Sequence, residues 1–63
     1  MRASFMKADS NHRVVRWEVS EGQRWWTVAF HTNDGSYTIM NEDMREISPT
    51  GALGKKLIAA TKE

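Results

Sequence analysis

The stretch Arg24 to Ile39, RWWTVAFHTNDGSYTI, decides how this chain folds. Asp34-Gly35 sits between two runs of β-prone residues, and Asp-Gly in that setting is among the strongest local hairpin signals. The run before it opens on two adjacent tryptophans. Neighbouring side chains of a strand point to opposite faces, so only one of Trp25 and Trp26 can enter a single core.

Working outward, Ser20-Glu21-Gly22-Gln23 supplies a second tight turn, again with a glycine where positive φ is needed. Strands are expected over residues 13–19, 24–32 and 36–41, in an antiparallel meander. With Glu21-Gly22 as a two-residue loop, Val19 faces Arg24, Trp17 faces Trp26 and Val15 faces Val28. With Asp34-Gly35 as the other loop, Thr32 faces Tyr37, Phe30 faces Ile39 and Ala29 faces Met40. One face then gathers Val15, Trp17, Val19, Trp26, Val28, Phe30, Tyr37 and Ile39, while a slip of one residue would scatter them. The expected core therefore holds Trp26 against Trp17. The opposite face carries Val14, Arg16, Glu18, Trp25, Thr27, Ala29, His31, Thr38 and Met40.

After Met40 the alternation stops. Asn41 suits a turn cap, with Glu42 and Asp43 behind it, and Met44–Ile47 reads as a brief turn followed by a short strand. Ser48-Pro49 has the form of a helix start, a serine cap before proline at the first helical position. Leu53, Leu57 and Ala60 form one helical stripe with Ile58 beside it, and Lys55, Lys56 and Lys62 lie elsewhere around the helix. Gly51 and Gly54 either delay the helix to Ala52 or permit a close approach to the sheet. Residues 1–10 form an added strand or stay loose. The expected fold is a small α+β domain over residues 1–63: a three-stranded meander over 13–41, a short extra strand, and a helix over 49–62 on the Trp17/Trp26 face.

A chain of 63 residues is near the lower limit for independent folding and holds one domain at most. It has no cysteine, so disulfides and thiolate metal ligands are excluded. Its apolar runs are far short of the ~20 residues that span a bilayer, and MRASFMKADSNH has no signal-peptide core. A cytoplasmic protein without membrane contact is expected. The net charge is +1, unevenly spread: five cations and three carboxylates up to residue 31, four carboxylates and one cation over 32–54, three lysines and Glu63 in the tail.

Catalytic patterns are missing. Ser20, Ser36 and Ser48 hold turn or cap positions, not a nucleophile elbow. Glu42, Asp43 and Glu46 read as solvated turn charges. GALGKK lacks the upstream glycine and the hydroxyl residue of a phosphate loop. His12 and His31 fall near one another in the meander, but two imidazoles without further ligands make an incomplete metal site. No enzyme and no cofactor are expected.

Recognition remains, and Trp25 is its marker. Arginine and aromatic residues on a sheet face suit nucleic-acid contact, and equally a protein hot spot. The expected contact set is Arg13, Arg16, Arg24, Trp25, Thr27 and His31, with arginines to phosphates and Trp25 to a base or sugar. Two alternatives stand beside a nucleic-acid-contacting bacterial or phage regulator. One is a protein-interaction module or a homodimer through Val14, Ala29 and Met40; the other is that the chain itself covers Trp25.

Two resemblances bear on this. VAFHTNDGSYTIMNEDMREISP resembles the last half of a small SH3-like or Tudor-type barrel, on Phe30, Asp34-Gly35-Ser36 and Ile47-Ser48-Pro49. The whole plan is also similar to the small DNA-coating chromatin proteins of archaea, which implies a DNA-facing sheet carrying tryptophan. TVAFHTNDGSYTI followed by ISPTGALGKKLI is similar to part of the C-terminal domain of Gre-type transcription factors, which implies contact with a transcriptional machine.

Overall fold

A computed structural model describes residues 1–9, 11 and 13–62. Five strands and one helix follow in chain order: β1 (Arg2–Ala8), β2 (Val14–Glu21), β3 (Arg24–His31), β4 (Ser36–Asn41), β5 (Glu46–Ile47) and α1 (Ala52–Thr61). The strands form one antiparallel sheet whose spatial order equals the chain order. β1 and β5 are its two edges, and the sheet is not closed. The expected three-stranded meander is thus the middle of a five-stranded one. Residues 2–8, left open by the sequence, extend it at one edge.

Both hairpin registers differ from expectation by two residues. Glu21 pairs with Arg24, Val19 with Trp26, Trp17 with Val28 and Val15 with Phe30. The loop is therefore Gly22-Gln23, not Glu21-Gly22. Gly22 has φ +62° and takes the first central position, where type II′ turns hold glycine. Trp17 consequently does not face Trp26. In the second hairpin His31 pairs with Ser36, Phe30 with Tyr37, Ala29 with Thr38, Val28 with Ile39 and Thr27 with Met40. That loop has four residues because Asp34 Oδ1 accepts from the Ser36 amide (2.9 Å) and hydroxyl (2.7 Å), while the Gly35 amide donates to the His31 carbonyl (2.8 Å). A shift of two keeps every side chain on its expected face.

That face is only partly a core. Val19, Val28, Ile39 and Leu57 are fully buried, with Trp26 and Ala60 close behind. Val15, Trp17, Phe30 and Tyr37, expected beside them, are half-buried. The reason is size. A ten-residue helix is about 15 Å long and about 10 Å wide, whereas eight-residue strands run about 26 Å and four of them span about 14 Å. The helix covers one end of the sheet. Beyond it an aromatic strip continues: Phe5 meets Trp17 edge-on at 6.4 Å, and Phe30 meets Tyr37 at 4.9 Å.

α1 starts at Ala52 with Gly51 as its cap residue and no side-chain cap, so Ser48 does not cap it and Pro49 lies outside it. Ser48 Oγ and Thr50 Oγ1 stand 3.0 Å apart, and the Gly51 amide donates to the Ser48 carbonyl. Gly54 is buried against this segment; a Cβ there would collide with the Ser48 carbonyl oxygen and stand 2.8 Å from Pro49 Cα. The close approach is to the Ser48–Pro49 corner, not to the sheet.

Candidate functional site

Trp26 is 3% exposed and Trp25 39%, so the paired tryptophans divide between the faces as the alternation requires. Among the described residues no helix or strand lies over the face that carries Trp25, since α1 takes the other side and residues 2–8 join the sheet edge.

The register lays this second face out in rows. Lys7, Arg16, Ala29 and Thr38 are successive partners across β1 to β4. The next row is Ser4, Glu18, Thr27, Met40 and Glu46, and then Arg2, Ser20 and Trp25. Ala29 is 8% exposed and is the one buried residue here among those described. It floors a groove of about 270 Å³ lined by Arg16, Thr27, His31, Thr38, Met40 and Met44. His31 Nε2 and Thr38 Oγ1 are 2.9 Å apart, a hydrogen bond that ties the groove's polar end together.

Met44 reaches the groove through an unusual turn. The Asn41 amide donates to the Arg45 carbonyl (2.9 Å), and Asn41 Oδ1 accepts from the Asp43 and Arg45 amides (both 2.9 Å). Asn41 caps the turn as expected. Such three-residue loops place their last residue in the left-handed region, normally glycine; here it is Met44, φ +62°, with 73% of its surface exposed.

Electrostatics separate the two faces further. Arg24, expected in the contact set, points to the helix side: its Cζ lies 5.0 Å over the Trp26 ring and its Nη2 pairs with Glu42 Oε1 at 3.2 Å. Glu42 Oε2 also accepts from the Trp25 amide (3.3 Å). These bonds, that from Arg24 first, hold the Glu42 carboxyl below its ordinary range. Asp34 is lowered in the same way, chiefly by the Ser36 hydroxyl and then its amide. Asp9 accepts from the Arg13 and Val14 amides, and Glu21 lies 3.8 Å from the Met1 amino group. Asp9, Glu21, Asp34 and Glu42 are thus engaged, while Arg2, Lys7, Arg13 and Arg16 have no carboxylate within 4 Å among the described residues. Lys7 and Arg16 are direct register partners, and like charges so placed repel.

Of the expected contact residues, Arg16, Thr27 and His31 meet at the groove, and Trp25 lies two residues from Thr27 on the same strand and face. Arg13 stands at the entry to β2, its carbonyl bonded by the Thr32 amide. Arg24 lies on the helix side, away from the groove. His12, considered with His31 as a ligand pair, lies outside the described residues. Among the described residues no three His, Asp or Glu side chains cluster closely enough to hold a metal ion, and no helix is long and apolar enough to cross a membrane. Sequence reasoning missed Lys7, whose partner depends on a bulge at Met6, and Met44, whose placement depends on a backbone angle. No known protein family, curated protein or solved structure matches this chain.

Proposed function

We infer that this chain is a non-enzymatic binding module that contacts nucleic acid through the uncovered sheet face. The observation that carries the proposal is the Lys7–Arg16 pair, two cations directly opposed without a carboxylate, beside the groove and on the same face as an exposed tryptophan. A phosphate between them converts mutual repulsion into two charge-assisted bonds. Trp25 supplies a stacking surface that accepts any base, and bases are free to stack on a sheet only when the strand is single. The likeness to SH3-like barrels belongs to this proposal too, as a precedent for a sheet surface that binds. So does a role as a cytoplasmic regulator.

Binding that engages Lys7, Arg16 and Arg2 gives a log–log salt slope of about −2 for a single strand. Fluorescence anisotropy with a labelled single-stranded oligonucleotide, from 50 to about 200 mM salt, tests this. Arg16→Glu, which also neutralises Lys7, should reduce that slope to about −0.7 while leaving the circular dichroism spectrum unchanged. Salt-independent or absent binding refutes the proposal. The apolar floor and wall formed by Ala29 and Met40, with Val14 on the same face, favour a second reading, self-association or a protein partner. A sedimentation mass that rises with concentration, and falls back in Met40→Glu, would select the homodimer.

A further inference from the structure

Met44 occupies a position that neither backbone ease nor burial explains. Outside glycine, the left-handed region is sparsely used and costs conformational energy. The side chain is 73% exposed, so no core packing offsets that cost, yet it lies along the groove. Strain kept at an exposed position is a pointer to function. We propose that Met44 closes a clamp for a single nucleobase, seated on Ala29 with its phosphate on Lys7 and Arg16. This rests on the nucleic-acid reading above and names the ligand group that the groove takes.

The chemistry of the walls fits a flat, polar-edged ring. At about 270 Å³ the space falls below the range of drug-sized pockets and suits one ring system, not a helix or a folded segment. Methionine sulfur makes favourable contacts with aromatic rings and adapts to their outline, and both Met40 and Met44 line the groove. The Arg16 guanidinium offers a plane for stacking along with its charge. At the polar end, the His31–Thr38 bond uses one imidazole nitrogen and leaves the other to meet a base edge. Neutral imidazole presents that nitrogen as donor or acceptor according to tautomer, so the clamp accepts more than one base. Trp25 lies about 7 Å from Thr27 along β3, placed for a neighbouring base.

The test follows the methionine methyl and indole NMR signals while a short single-stranded DNA is added, and then the same strand with abasic sites throughout. The clamp predicts that the intact strand moves the Met40, Met44 and Trp25 signals. The abasic strand should leave the methionine signals in place and bind at least tenfold more weakly. Met44→Gly should raise the thermal midpoint, because glycine is at ease at positive φ, yet weaken binding of the intact strand roughly two- to tenfold. Met44→Asn, also tolerant of that angle, provides a second variant. Merely structural importance predicts the reverse: binding unchanged as stability rises. Equal affinity for intact and abasic strands overturns the clamp while the phosphate reading stands, whereas absence of binding to either overturns both. Methionine shifts produced by protein concentration alone also overturn the clamp, in favour of self-association.

Discussion

The two faces of this sheet grow from one alternating pattern and end in opposite states. On the helix side, Val19, Val28, Ile39 and Leu57 are sealed from water. On the other, only Ala29 is buried among the described residues, and Arg16, Thr27 and His31 remain half-accessible around it. Trp25 and Trp26 state the contrast within one dipeptide. Alternation assigns residues to faces, but a face becomes a core only where another element covers it. The ten-residue helix covers one end of one face, and the rest of the sheet is left for other uses.

The sharpest way to break the comparison is to truncate each tryptophan. Trp26→Ala should cost about 3–5 kcal/mol and unfold much of the population, as large aromatic deletions in cores do, whereas Trp25→Ala should stay within about 0.5 kcal/mol. Thermal melts of the two variants decide it. A large loss in Trp25→Ala would mean that the second face is a core after all. Trp26→Phe should fall between, because the buried indole N–H has no acceptor among the described residues and its removal offsets part of the lost volume.

A second, smaller effect concerns how the helix is seated. Gly54→Ala places a methyl group against the backbone of Ser48 and Pro49, which cannot yield as a side-chain tip can. An overpacking loss of roughly 1–3 kcal/mol is expected, despite alanine's better helix propensity. Urea titration measures it; unchanged or increased stability would show that the corner moves freely.

The smallest effect is the pH dependence of the Glu42 clasp between the faces. Its carboxyl titrates below the ordinary value of 4.5 in the folded chain, so its contribution is present above that pH and is lost as pH falls through the lowered value. The carboxylate is solvent-accessible and screened, so the change is modest. Comparing melting temperatures of the parent and Glu42→Gln from pH 6 down to 3 should show a gap that closes at the acid end. A constant gap would indicate that the bonds to Arg24 and the Trp25 amide add nothing.

Face assignment was legible in the sequence because it depends only on parity, which survived two hairpin registers displaced by two residues each. Register itself was not: it turned on whether Gly22 takes the first or second place in its turn, and on an Asp34 side chain that enlarges the next loop. β1 stayed one of two alternatives because the bulge between Phe5 and Lys7 interrupts the very alternation that identifies strands. The pairing of β1 with β2 is what brings Lys7 opposite Arg16. Arg24 stands apart from the groove because it shares Trp26's side of the strand, where it pairs with Glu42. Trp25, Arg16, Thr27 and His31 could be placed together from sequence since they differ by even steps within or across paired strands. Met44 could not, because nothing in the one-letter code marks a methionine at positive φ.

The coincidence of spatial and chain order bears on how fast this chain finds its structure. Each strand closes against the one just made, through loops short enough that closure entropy is small. Sheets assembled from such local pairings fold faster than those that bring distant strands together. The exception is α1, which must return to pack on β1, β2 and β3. That contact joins the two ends of the sequence and carries the largest separation along the chain. Helix docking, which seals Leu57, is therefore the contact with the highest entropic demand.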